Sequence, residues 1–231
     1  MKNLDQISSR IRENLSAKNA ARDKALERSR TLIRFCANSI RAAHRDDRAE
    51  ARALLAQAKG IVDAIRADLT AYPDLYHAGY TQDALKEFAE ASIVLTLLAD
   101  EPLPDPEALG VEYAAYLNGL GEAASEMRRR CLDIIRHSHS AEAERLLDAM
   151  DEIYSLLVTI DYPDALTGGL RRHSYQGGDC RPQRVFIGQE NRFCKKCKKI
   201  IQREEEKSRH QSDCDSGFPQ SLPGCHEIRL H

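Results

Sequence analysis

The chain of 231 residues has no tryptophan, and aromatic residues make up only 6% of it. Such a composition offers few platforms on which nucleic-acid bases could stack. No stretch approaches the ~18 consecutive apolar residues that a membrane span needs. The first ten residues, MKNLDQISSR, also lack the apolar core of a signal peptide. We therefore expect a cytoplasmic protein that is not anchored in a membrane.

The chain also lacks an excess of either charge, because its 34 Lys and Arg nearly balance its 36 Asp and Glu, for a net charge of −2. This balance excludes a strongly basic, histone-like surface, so a nucleic-acid partner would have to meet a local basic patch. The cysteines are unevenly placed, since five of the seven fall in residues 176–231. We expect two regions, a domain over residues 1–175 and a Cys- and Lys-rich tail over residues 176–231.

Hydrophobic periodicity predicts an all-α multi-helix bundle followed by an irregular tail. Apolar residues recur three, four and seven apart up to residue 172, and no alternating β-branched run competes with this pattern. Thr81 is expected to be the N-cap of the third helix. The predicted helices span residues 4–43, 48–71, 82–98, 107–137, 141–160 and 163–172.

Two pairs of carboxylates stand among small and apolar residues on these helices. Glu87 and Glu90 are three apart in the third helix, and Glu122 and Glu126 are four apart in the fourth. Each spacing places its two acids on one face of the helix. Both pairs are therefore candidates for a site between the two helices.

Two interpretations of these acids remain open. In the first, they lie on solvated faces and form ion pairs with Lys86 or Arg130, as charged pairs on helices often do. In the second, all four point to one interior position and need a divalent cation to offset their repulsion. Oxygen ligands favour Mg²⁺ or Mn²⁺. Redox iron is disfavoured, because no Glu-x-x-His pair occurs on these helices.

Four segments in order resemble the translin family. They are SRTLIRFCANSIRAAHR at residues 29–45, EFAEA at 87–91, EYAAYLNGLGEAASEMRR at 112–129 and YPDALTGGLRR at 162–172. The resemblance covers about residues 5–173 and is nearest to the catalytic branch, translin-associated factor X and the archaeal X-like proteins. It implies a translin-type helical fold and a homo-oligomer in the form of a closed hollow shell.

The same resemblance implies binding of single-stranded RNA or DNA and Mg²⁺-dependent endoribonuclease activity. It assigns Glu87, Glu90, Glu122 and Glu126 as catalytic metal ligands, with Glu122 standing where the X branch usually has Asp. Non-catalytic translin subunits lose the E-x-x-E pair, so its presence favours an enzyme that hydrolyses phosphodiesters. The alternatives are a non-catalytic nucleic-acid-binding oligomer and, with less support, a purely structural helical oligomer.

Arginines near the acids are candidates for phosphate contacts. Arg128 and Arg129 follow Glu126 directly, and Arg171 and Arg172 close the last predicted helix. Phosphate contacts of this kind favour binding to the backbone regardless of base sequence. The alternative is that these arginines only interact favourably with the carboxyl ends of their helices.

The tail departs from the family pattern. It contains four residues with the types and spacing of a Cys₂HisCys zinc finger, namely Cys194, Cys197, His210 and Cys214. The sequence therefore predicts a small zinc-binding module here. A divergent or frameshifted terminus with incidental cysteines is the alternative.

Overall fold

Helices joined by turns make up residues 3–137 and 141–170, which are the residues that the computed structural model describes. These residues contain no strand, in agreement with the predicted all-α class. The helices in chain order are α1 (Leu4–His44), α2 (Arg48–Asp68), α3 (Pro73–Tyr76), α4 (Gly79–Ala99), α5 (Pro106–Leu109), α6 (Tyr113–His137), α7 (Ala141–Leu157) and α8 (Asp164–Thr167).

Helix α4 lies at the centre of the bundle and packs against both α1 and α6. Its sequence is apolar on most sides, and Leu85, Phe88, Ile93 and Val94 are all at most 2% exposed. Burying these side chains removes much apolar surface from water, which stabilises the bundle. Glu90 lies among these apolar side chains and is one of the buried residues of α4.

The junctions between helices agree only in part with the prediction. The turn after α1 was expected, and the side chain of Asp47 caps α2 by accepting a hydrogen bond from the backbone N–H of Glu50 at 3.0 Å. Thr81 is not an N-cap, and that prediction was wrong. Helix α4 begins at Gly79, and the buried Thr81 hydroxyl donates to the Leu75 carbonyl at 2.9 Å.

The predicted fourth helix is divided in two. Gly110 adopts φ +72° between α5 and α6, a left-handed conformation that glycine takes without steric cost and that ends α5. Three other predicted helices are shorter than expected at their carboxyl ends, because α2 ends at Asp68, α7 at Leu157 and α8 at Thr167.

The first half of α1 extends beyond the core. Its first buried residue is Ala25, whereas Leu4, Ile11 and Leu15 are 52%, 53% and 57% exposed. The 41 residues of α1 span about 60 Å at the helical rise per residue, and α2 has about half that length. Among the described residues, no helix is long and apolar enough to cross a membrane.

Candidate metal centre

A close contact between α4 and α6 sets the geometry of the acidic residues. A Cβ atom added to Gly119 of α6 would lie 2.9 Å from the Glu90 nitrogen and 2.9 Å from the Lys86 carbonyl oxygen of α4. Any side chain at position 119 would therefore separate the two helices. Glu122 follows one turn later on α6 and comes to lie opposite the Glu87 and Glu90 pair.

Three of the four predicted acids converge across this contact. Glu87, Glu90 and Glu122 each offer a carboxylate oxygen, and these oxygens lie within 4.8 Å of one another. We call these three residues the carboxylate cluster. Glu90 is the most deeply buried at 7% exposed, whereas the Glu87 and Glu122 side chains are 28% and 30% exposed. The cluster thus has a buried inner ligand and two outer ligands near solvent.

Crowding and burial change the protonation of the inner acid. Burial raises the pKa of Glu90 to about 8, with the charges of Glu122 and Glu87 adding to the effect. Glu126 contributes in the same direction, and the Lys86 ammonium opposes it. In the absence of a metal, Glu90 therefore holds its proton at neutral pH.

A lysine is bonded to the two outer carboxylates. The Lys86 Nζ lies 2.6 Å from Glu122 Oε1 and 3.2 Å from Glu87 Oε1. Burial alone would lower the pKa of Lys86, but its hydrogen bonds and charge interactions with these two acids outweigh burial and raise it. The ion pair with Lys86 considered from the sequence is therefore present. Its members nevertheless lie inside the helix contact, with only 15% of the Lys86 side chain exposed.

Glu126, the fourth predicted acid, is not among the three whose oxygens lie within 4.8 Å of one another. Its Oε2 lies 2.6 Å from Nε2 of His44, which reaches it from the end of α1. The hydrogen bond from His44 lowers the pKa of Glu126, and this effect exceeds the opposing effect of burial. The Glu126 carboxylate is thus held by a histidine at the edge of the cluster.

Sequence reasoning missed the role of His44, which falls between the first two predicted helices, residues 4–43 and 48–71. The side chain is 9% exposed and its Nδ1 is buried without a hydrogen-bond partner. One signal was available: His44 follows Ile40 by four and Cys36 by eight residues, so it continues the buried stripe of α1.

Cys36 on the same stripe lies near the cluster but does not fit a nucleophile. The residue is fully buried. Burial, together with the charges of Glu87 and Glu90, raises the pKa of its thiol far above the ordinary range. Since the thiolate is the reactive form, Cys36 is an inert part of the core.

The candidate phosphate contacts differ from one another. Arg129 is well exposed at 63%, with Nη1 3.9 Å from Glu126 Oε2, and Arg128 is half-buried. Arg130 does not pair with the cluster; it contacts Asp46 at 2.8 Å and Glu142 at 3.2 Å. The other predicted site residues lie outside the described part of the chain, namely Arg171, Arg172, Cys194, Cys197, His210 and Cys214.

The chemistry of the carboxylate cluster fits a divalent cation. Its three donors are hard carboxylate oxygens, which suit Mg²⁺ or Mn²⁺ better than softer metals. A cation, the Lys86 ammonium, already lies against two of them. The donor set and its charge therefore match a divalent metal centre.

The chain was compared with known protein families, protein sequences and solved structures. No protein-family model matches the chain. An uncharacterized protein of Methanocaldococcus jannaschii is 29% identical over 150 residues, which are 64% of this chain and 66% of that protein. The match thus spans just under two thirds of the length of that relative.

Solved structures match over more of the chain. AfC3PO in complex with duplex RNA superposes with a TM-score of 0.72 at 26% identity, covering 85% of this chain and 95% of that one. AfC3PO solved separately gives the same TM-score and identity, with 85% and 96% covered. The structure of apo-NeC3PO has a TM-score of 0.66 at 19% identity, with 88% and 98% covered, and supports the fold alone.

The fold and the paired acids define a helical bundle with a carboxylate cluster between two of its helices. Together with the likeness to AfC3PO, they support the resemblance to the translin family that the sequence indicated.

Proposed function

We propose that the chain is a metal-dependent endoribonuclease that binds single-stranded RNA or DNA and hydrolyses phosphodiester bonds at the carboxylate cluster. The observation that carries this proposal is the convergence of Glu87, Glu90 and Glu122 within 4.8 Å in a chain whose fold is similar to that of AfC3PO. Three acids in one partly buried position are costly unless a cation or protons neutralise them. A role in holding a metal accounts for their presence there.

In this proposal, the three acids would hold Mg²⁺ or Mn²⁺. When bound, such an ion polarises a phosphate and lowers the pKa of water, which is the chemistry that phosphodiester hydrolysis needs. Glu90 supplies the buried ligand, and its carboxyl proton must leave before the oxygens can coordinate. Glu122 retains a carboxylate where the X branch usually has Asp, and its longer side chain reaches the other two acids.

Glu126 and His44 would support the reaction from the side of the cluster. The hydrogen bond of 2.6 Å between them holds the Glu126 carboxylate in one orientation and keeps it ionised. A negative charge fixed at this edge strengthens the attraction of the site for a cation. We therefore retain Glu126 as part of the proposed centre, outside the three closest ligands.

RNA binding is supported by the likeness to AfC3PO, whose structure was solved with duplex RNA. On this chain, Arg129 is the best placed of the described candidate arginines, because it is exposed one turn beyond Glu126. An exposed guanidinium beside a metal centre suits the phosphates that flank a scissile bond. Arg128 is a second candidate on the same helix.

Assembly into a homo-oligomer, with a closed shell as its expected form, is proposed from the exposed part of α1. Leu4, Ile11 and Leu15 are spaced seven and four apart, so they share one helix face, and each is more than half exposed. An apolar stripe on a helix that extends beyond its own core is suited to contact with another copy of the chain.

The proposal is tested by incubating the protein with labelled single-stranded RNA, single-stranded DNA and duplex RNA in Mg²⁺, Mn²⁺ or EDTA. Cleavage that requires the metal and is lost in Glu90→Gln is the expected result. Asp83→Asn is the matched control, since Asp83 is an exposed acid on the same helix and the change likewise replaces a carboxyl group with an amide. RNA affinity should be nearly unchanged in both variants.

A protein that binds RNA but cleaves none of these substrates with either metal would contradict the nuclease proposal. The carboxylates would then be structural, and the chain would be a non-catalytic nucleic-acid-binding oligomer. Equal cleavage by Glu90→Gln and the parent would place the reaction elsewhere on the protein.

A further inference from the structure

A lysine ammonium is embedded among the acids of the carboxylate cluster. The Lys86 Nζ bonds Glu122 Oε1 at 2.6 Å and Glu87 Oε1 at 3.2 Å. It thereby joins two of the three expected metal ligands, one from α4 and one from α6. A divalent ion held by the cluster would use the same two carboxylates that Lys86 already contacts.

Lys86 contributes a positive charge to the charge balance of the cluster. Without a metal Glu90 keeps its proton, so the negative charge that Lys86 offsets is that of Glu87 and Glu122, the two acids it contacts. Two cations that share one carboxylate repel each other strongly in a partly buried site. Ion binding at Glu122 and the Lys86 contact therefore compete.

The Lys86 side chain can move out of the cluster while its backbone stays in place. The Lys86 carbonyl is fixed by the tight packing against Gly119, so the backbone at this position cannot move away without opening the helix contact. The side chain is 15% exposed and has four rotatable carbon–carbon bonds, so its ammonium can turn to solvent.

We propose that Lys86 is the resident counter-cation of the carboxylate cluster, and that a divalent ion binds by displacing its ammonium from Glu122. Lys86 thus sets the metal concentration at which the site fills. This inference rests on the proposed function, because it takes the cluster to be a metal centre.

The test is a calorimetric titration of the full chain with Mn²⁺ at fixed pH and ionic strength. Lys86→Gln should bind Mn²⁺ about ten-fold more tightly than the parent or better, because the competing charge is gone. Lys59→Gln is the matched control. Lys59 forms an exposed ion pair with Asp63 on α2, so replacing it changes the net charge equally. The Mn²⁺ affinity of Lys59→Gln should equal that of the parent.

Thermal unfolding provides a second measurement that needs no catalysis. In EDTA, Lys86→Gln should have a lower Tm than the parent, since its acids lack a counter-cation. Saturating Mn²⁺ should then raise its Tm by more than it raises that of the parent. Lys86→Arg keeps the charge, and its Mn²⁺ affinity should stay near that of the parent.

The outcomes separate this inference from the proposed function. If the parent binds Mn²⁺ and Lys86→Gln binds it equally or more weakly, the displacement idea is wrong while the metal centre stands. If neither the parent nor Lys86→Gln binds Mn²⁺, the proposed metal centre itself fails, and the inference fails with it.

Discussion

Replacing Glu90 with glutamine should stabilise the metal-free protein at alkaline pH, although it removes a residue that we propose to be essential. Glu90 is 7% exposed, and burial with the neighbouring acids raises its pKa from 4.5 to about 8. An acid with a raised pKa favours folding while it is protonated. Its contribution is therefore complete below about pH 4.5 and is lost as the pH rises toward 8.

The size of the effect follows from the shift. At about 1.4 kcal/mol per pKa unit, ionising Glu90 in the folded state costs at most roughly 4 to 5 kcal/mol above pH 8. Glutamine has nearly the same shape and no charge to ionise, but its amide must also be buried, which reduces the gain. We expect Glu90→Gln to raise the free energy of unfolding by about 2 kcal/mol or more at pH 8.5, and by little at pH 5.

Denaturant unfolding in EDTA, repeated from pH 5 to pH 9, measures this difference directly. Glu126→Gln is an informative comparison, because the hydrogen bond from His44 lowers the pKa of Glu126. Its contribution is present above the ordinary pKa and is lost as the pH falls, so this variant should lose about 1 to 2 kcal/mol at neutral pH. If Glu90→Gln is no more stable than the parent at pH 8.5, the account of a buried, crowded Glu90 is wrong.

The remaining predictions concern helix contact and RNA affinity. Gly119→Ala should lower the free energy of unfolding by about 1 to 3 kcal/mol and weaken Mn²⁺ binding, because its Cβ would meet the α4 backbone at 2.9 Å. Gly60→Ala, with open space around the added atom, should instead stabilise α2 by about 0.5 to 1 kcal/mol; equal effects in denaturant melts would contradict this. Arg129→Ala should weaken RNA binding and reduce the salt slope of its affinity by about one ion. Arg52→Ala, at another exposed arginine, should leave that slope unchanged, and an unchanged slope in Arg129→Ala would remove that residue from the interface.

Periodicity alone was sufficient to predict most of the fold. The apolar repeat located α1 to within one residue at its carboxyl end, because a long amphipathic stripe is a strong local signal. The helix ends were less predictable where tertiary contacts decide them. Thr81 has the side chain of an N-cap, yet its hydroxyl is engaged by the Leu75 carbonyl of the preceding short helix.

Part of the candidate site could be predicted from the sequence. Spacing showed that each pair of acids shares a helix face, and the convergence of Glu87, Glu90 and Glu122 follows once α4 and α6 pack at Gly119. Spacing could not show that α1 would bring His44 into hydrogen-bonding distance of Glu126. A contact between residues 82 positions apart depends on how three helices pack, and no local sequence pattern predicts that packing.

The central claim is that the carboxylate cluster is a divalent metal centre, and anomalous diffraction from crystals grown with Mn²⁺ tests it most directly. Our account predicts an anomalous peak within bonding distance of Glu87, Glu90 and Glu122, and its loss in crystals of Glu90→Gln. Two results would contradict it. One is Mn²⁺ bound only elsewhere on the protein, and the other is a map without a peak at the cluster, in which Lys86 still bridges Glu87 and Glu122.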